Sequence, residues 1–223
     1  MLRAMLAALD DGARAPRSFT IHFAAPPADG VCEIAVRQER SGRSLATLSA
    51  RLEQDGTLCA LALGAFSPGW PAPEIDVSTP PESAPAAEAE VLPPHPSRPD
   101  FFDHVEVRPT IGGFVGSGEA RVGGWLRTDP PAPLDAPSVV FLLDAMWPAI
   151  YPKLNERAGA PTIDFTVHFR RAIPAFDEPL LAQFSTRLLH DGFFEEDGEL
   201  LTPGGELLAQ SRQLALLLPA REP

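Results

Sequence analysis

The chain has 223 residues, 44% hydrophobic and 22% charged, the balance of an ordinary folded protein rather than a disordered or fibrous one. Its formal net charge of -12 at pH 7, with no lysine or arginine run to offset it, argues against nucleic acid and anionic membrane surfaces as partners. No apolar stretch reaches the ~20 residues a bilayer demands. Cys32 and Cys59 lie in alternating apolar segments without metal-ligand spacing or a disulfide framework, so the expected compartment is a reducing cytoplasm.

Leu2–Leu9 reads as a short helix ending near Gly12; Arg3 interrupts its apolar run and Asp10 and Asp11 follow, which speaks against a signal peptide. Segments 18–23, 31–39, 44–53 and 57–66 alternate apolar and polar residues or are rich in β-branched and aromatic ones, as strands require. Asp55-Gly56 between the last two is a hairpin signal. Residues 71–100 are dense in Pro, Ala, Glu and Ser and poor in large apolar side chains, the composition of an extended linker. It divides the chain into a first unit, 1–70, and a second, 101–223.

The second unit is predicted to run as strands over 102–108 and 119–127, an apolar helix over 137–147, then strands over 162–170, 180–189 and 206–218. Asp135 and Pro137 mark the helix start, and Pro148 removes the amide that would continue it. The units repeat one another. Phe19-Thr-Ile-His-Phe23 returns as Phe165-Thr-Val-His-Phe169, each after Ala-Pro, and Gly56-Thr-Leu-Cys-Ala60 returns as Gly205-Glu-Leu-Leu-Ala209 at nearly the same offset. Two matches in order point to duplication. The second copy has some strand sequence before its helix that the first copy lacks, so the first unit is expected to miss its N-terminal strand, with Met1 falling inside the unit rather than at its natural beginning.

An apolar helix without a polar stripe should be buried all round. Wrapped in an antiparallel sheet of about five strands, it gives the hotdog arrangement, here doubled: an α+β fold.

Asp144-Ala-Met-Trp-Pro148, Thr162-Ile-Asp-Phe-Thr-Val-His-Phe169 and Leu207-Leu-Ala-Gln-Ser-Arg-Gln213 resemble the second half of acyl-CoA thioesterase II-type double hotdog enzymes. Ser18 to Phe23, Arg43 to Arg51 and Gln54-Asp-Gly56 resemble their first half. The resemblance implies hydrolysis of acyl-CoA by a water that an Asp, a Thr and a Gln orient, with no cofactor or metal; residue by residue these are Asp144, Thr162 and Gln213. Gly64 stands where the first repeat would place the Gln, so the first unit is expected to lack the triad.

Asp144 is the only charged residue between Asp135 and Lys153, in a helix predicted to be buried, so it should be paired, protonated or functional; the bland alternative is a carboxylate capping a neighbouring strand. Thr162 is otherwise an ordinary strand former, and Gln213 could be a solvent-facing strand residue beside Gln210 and Arg212. His22 and His168 share a repeat position, which favours a structural role, and His104 and His190 are isolated. Gly112, Gly113, Gly116 and Gly118 form no phosphate fingerprint, no G-x-S-x-G elbow occurs, and Arg170-Arg171 could meet a CoA phosphate or simply be solvated. Two rival functions remain: a hydratase or dehydratase, which needs a His beside a carboxylate, and a non-catalytic acyl-binding module. Two fused units already form the pseudo-dimer of single hotdogs, which leaves a monomer or a homo-oligomer of fused chains.

Overall fold

In the computed structural model, residues 1–95 and 98–218 are described; residues 96 and 97 of the expected linker and 219–223 at the end of the expected second unit lie outside the described residues. Helix α1 (Leu2–Leu9) precedes strands β1 (Ala15–Phe23), β2 (Glu33–Ser41), β3 (Ala46–Gln54) and β4 (Thr57–Ser67). After the intervening segment come β5 (Val105–Gly112), β6 (Arg121–Thr128), helix α2 (Ala136–Leu142), β7 (Thr162–Phe169), β8 (Leu180–Ser185), the short β9 (Leu189–His190), β10 (Phe193–Leu201) and β11 (Leu207–Leu216). The strands join in one antiparallel sheet in the order β2-β3-β4-β1-β7-β11-β10-β8-β6-β5, with β9 paired to β10. This is an α+β double hotdog.

The order is its own mirror about the β1–β7 seam: β1, β4, β3 and β2 run outward on one side as β7, β11, β10 and β8 do on the other. Thr20 faces Thr166 across the seam, flanked by Phe19 opposite Val167 and Ile21 opposite Phe165, so the threonine meets its own repeat-equivalent and the two flanking pairs are repeat-equivalents of one another. A two-fold relation therefore passes through the threonine pair, whose hydroxyls are 3.0 Å apart. The first unit ends at β2, and among the described residues it has no counterparts of β5 and β6.

Local chemistry explains the elements. Asp55 and Gly56 take positive φ of 50° and 76°, the geometry a two-residue hairpin requires. Asp191 and Gly192 do the same at 51° and 82° between β9 and β10. The sequence reading overlooked this second hairpin and with it β10. Asp135 caps α2, its carboxylate accepting from the Ser138 amide at 2.8 Å.

Helix α2 corrects the sequence reading in two ways. It stops at Leu142 rather than Trp147, because the last bond of α-helical span runs from the Leu143 amide to Val139, while Asp144 and Ala145 donate only three residues back, to Phe141 and Leu142. The apolar run continues beyond it, buried but in turns. Nor is α2 buried all round: Ala136, Val139 and Leu142 enter the core, whereas Pro137, Val140 and Phe141 line a cavity. The core around the helix is filled by Phe165, Phe184, Phe194, Leu126, Leu180 and Leu200, each essentially without solvent exposure.

From Pro68 to Pro99 no described residue belongs to a strand or helix, yet the part around Ala84 to Ala89 is held against the second unit. The Trp125 indole donates to the Ala84 carbonyl at 2.8 Å, Arg108 donates to the carbonyls of Ala86 and Ala89, and both alanines pack on a cluster of Ile111, Trp125, Leu181 and Leu201. Arg171 pairs with Asp76 at 2.7 Å, which ties this segment to the end of β7.

Candidate active site

Thr162 opens β7, and Gln213 lies on the neighbouring β11, in register with Phe165. The Thr162 hydroxyl donates to Gln213 Oε1 at 2.8 Å. Across the next seam Gln213 is in register with Glu196 on β10 and donates from Nε2 to Glu196 Oε1 at 2.7 Å. The second carboxylate oxygen of Glu196 accepts the Ala149 amide at 2.5 Å. One chain of hydrogen bonds thus runs from Thr162 through Gln213 and Glu196 to the backbone just after Pro148.

Asp144 stands in the turn after α2, so the helix end carries it toward β7. With Thr162 it lines two cavities. The larger, about 880 Å³, lies between the units and is walled by Phe19, Ile21 and Phe23 of β1, Val140 and Phe141 of α2, and Phe165 of β7; Arg3, Asp144 and Thr162 are its charged or hydroxyl-bearing side chains. The smaller, about 470 Å³, also contains Glu196 and Gln213, with Trp147, Tyr151 and Phe194 among its walls. The structure therefore brings Asp144, Thr162 and Gln213 around one place. Among the described residues no histidine lines either cavity.

Asp144 has a large solvent-accessible fraction, yet protein surrounds it. The two facts are compatible because Asp144 lines both cavities, onto which its accessible surface opens. Among the described residues its carboxylate has no hydrogen-bond or ion-pair partner, and burial alone pushes its pKa up to about 7. Glu196 is 4% exposed. Its burial outweighs the hydrogen bonds from Ala149 and Gln213, which pull its pKa down, and the Asp144 charge adds a further push upward, to about 7.

Sequence reasoning missed Glu196. It sits in Phe193-Phe-Glu-Glu-Asp-Gly-Glu-Leu-Leu201, where every second residue from Phe194 through Glu196 and Gly198 to Leu200 is buried. That period is burial the sheet imposes, and the signal in the sequence is the Asp191-Gly192 turn just ahead of the strand.

The first unit has no such arrangement. Phe19, the counterpart of Phe165, is in register with Gly64, and Gly64 is in register with Leu48. Gly64 and Leu48 thus hold the places of Gln213 and Glu196. A Cβ at Gly64 would approach the Phe66 ring to 2.7 Å and the Met5 sulfur to 3.0 Å, so apolar side chains fill the space that Gln213 occupies in the second unit.

Among the described residues no group of three His, Cys, Asp or Glu side chains could hold a metal ion, and no helix is long and apolar enough to cross a membrane. Cys32 and Cys59 are free thiols.

The family described as the acyl-CoA thioesterase C-terminal domain matches residues 79–217, and that described as the acyl-CoA thioesterase N-terminal domain matches residues 1–67. No curated protein matches the chain in sequence. Among solved structures, a conserved protein of unknown function with a hot dog fold from Alicyclobacillus acidocaldarius is 28% identical, with a TM-score of 0.87 over 98% of this chain and 84% of that one. A candidate thioesterase II from Thermobifida fusca is 26% identical, with a TM-score of 0.79 over 99% of this chain and 83% of that one. The acyl-CoA thioesterase II TesB2 of Mycobacterium marinum shares the fold at 20% identity and a TM-score of 0.71, over 96% of this chain and 85% of that one.

Proposed function

The chain belongs to the acyl-CoA thioesterase family, and from that membership and the geometry around Asp144 we propose that it hydrolyses an acyl-CoA to the free acid and CoA with a water held by Asp144, Thr162 and Gln213. The observation that carries this reading is the meeting of an unpaired, enclosed carboxylate with the Thr162–Gln213 hydrogen bond at the wall of a large apolar cavity. The second unit, 101–223, supplies all three groups, and the first, 1–70, supplies cavity wall through β1.

In the proposed reaction the apolar cavity takes the acyl chain, whose burial there replaces water on both surfaces. The ionised Asp144 carboxylate accepts a proton from the water as its oxygen attacks the thioester carbonyl carbon. Collapse of the tetrahedral intermediate breaks the C–S bond, and the proton held on Asp144 passes to the leaving CoA sulfur. A carboxyl whose pKa lies near 7 suits both halves of this exchange, because it gives up its proton as readily as it takes one near neutrality.

A hydratase or dehydratase is disfavoured, since that chemistry needs a histidine beside the carboxylate and among the described residues neither cavity at Asp144 has one. The free thiols of Cys32 and Cys59 accord with action in a reducing cytoplasm. Protein-dependent release of CoA thiol from acyl-CoA, lost in the Asp144→Asn variant, tests the proposal. An acyl-binding module without activity would bind the same ligands and release nothing.

A further inference from the structure

The reaction as written leaves one buried acid unused. Glu196 lies on the inward face of β10 with both carboxylate oxygens committed, one to Gln213 Nε2 and one to the Ala149 amide. Among the described residues no Lys, Arg or His lies within ion-pair distance of it. A buried carboxylate without a cation is costly to keep. The fold does not require it: at the equivalent place the first unit puts Leu48, opposite Gly64. The acid and the glutamine occur together in one unit and are replaced together in the other.

We propose that Glu196 is a positioning residue for the hydrolysis, locking the Gln213 side-chain amide in the single orientation that lets Thr162 and Gln213 hold the attacking water. Above its pKa of about 7 the Glu196 carboxylate is ionised and only accepts hydrogen bonds, so the nitrogen of the Gln213 amide must face it and the oxygen must face Thr162. The Thr162 hydroxyl then has to donate to Gln213, as its 2.8 Å contact allows, and its lone pairs are left to accept from water. The second N–H of Gln213 Nε2 is left to donate. Water so placed gives one hydrogen to Asp144 and one to Thr162, accepts one from Gln213, and keeps a lone pair for the carbonyl carbon. With the amide flipped, Thr162 would turn its own hydrogen toward the water, and the pattern would be lost.

The inference rests on the thioesterase reading, and its test separates the two. Steady-state kinetics compare the wild type with Glu196→Gln, Gln213→Ala and the double variant, all checked for an unchanged fold by circular dichroism. Glu196→Gln should lower kcat by about 10-fold or more with KM within twofold. On the Gln213→Ala background the same change should alter kcat by less than twofold, because Glu196 acts through Gln213. Multiplying losses, or a wild-type kcat in Glu196→Gln, overturns the proposal. A second readout needs no turnover: the side-chain amide signals of Gln213 in a nitrogen-15 correlation spectrum, assigned by their absence in Gln213→Ala. Glu196→Gln should shift them and speed their exchange with water, and unchanged signals overturn the lock. A wild type that releases no thiol while those signals respond as stated overturns the hydrolytic reading and leaves the lock in place.

Discussion

Replacing Asp144 by asparagine keeps the size of the side chain and removes the base. Loss of a general base costs about 100-fold or more, so kcat for acyl-CoA should fall by at least that factor with the fold intact. Stability should move the other way. The folded protein holds the Asp144 proton up to a pKa of about 7, from an ordinary value of 3.8. Each unit is worth about 1.4 kcal/mol, so the full shift corresponds to roughly 4 kcal/mol. The carboxylate faces cavity water, which screens it, and about 1–2 kcal/mol is the expected net effect. Because the folded value is raised, between pH 3.8 and about 7 the native state binds a proton that the unfolded state has released. Wild-type stability therefore falls across that window and levels off above it. Asparagine does not titrate, so the variant should match the wild type near pH 4 and exceed it by about 1–2 kcal/mol above pH 7. Glu196 titrates in both proteins and largely cancels in the difference. Urea unfolding of the two proteins from pH 4.5 to 8.5, beside initial rates of thiol release, measures both effects. A variant that keeps its turnover, or one less stable than the wild type at high pH, refutes the reasoning.

Other expectations follow from the same geometry. The pH dependence of kcat should show an acid limb near pH 7, with activity rising as Asp144 and Glu196 lose their protons; a limb near pH 4 would show that Asp144 is solvated like an ordinary surface carboxylate. Val140→Trp puts a large side chain into the cavity one turn before Asp144, and it should lower kcat/KM for long acyl chains about 10-fold more than for acetyl-CoA; equal effects on both would place the acyl chain elsewhere.

Much of this arrangement was legible in the residues, for reasons that can be named. The Phe19–Phe23 and Phe165–Phe169 pentads are repeat-equivalent segments that differ only at Ile21 and Val167, and they pair with each other at the central seam. Asp144 stood out because a lone acid in an apolar run has few bland explanations. Gly64 was readable as the break in the first unit because the Gly56–Ala60 and Gly205–Ala209 matches align it with Gln213. What was not legible shares one cause, namely that tertiary surroundings decided it. Strand β10 carries Glu195, Glu196, Asp197 and Glu199 around Gly198, a composition that reads as a loop until the sheet supplies neighbours for its inward face. The end of α2 at Leu142 follows from turns that continue as apolar as the helix. The proline-rich segment takes its place from carbonyls presented to Trp125 and Arg108, which composition does not encode.

The most direct test of the thioesterase account is the appearance of free CoA thiol when the purified full chain meets a panel of acyl-CoAs from acetyl to stearoyl, together with aryl-acyl members, followed continuously with a thiol reagent. The account predicts protein-dependent release at a rate set by Asp144, reduced to about 1% of the wild-type rate or less by Asp144→Asn. No release from any member of the panel, or equal release by the asparagine variant, would contradict it.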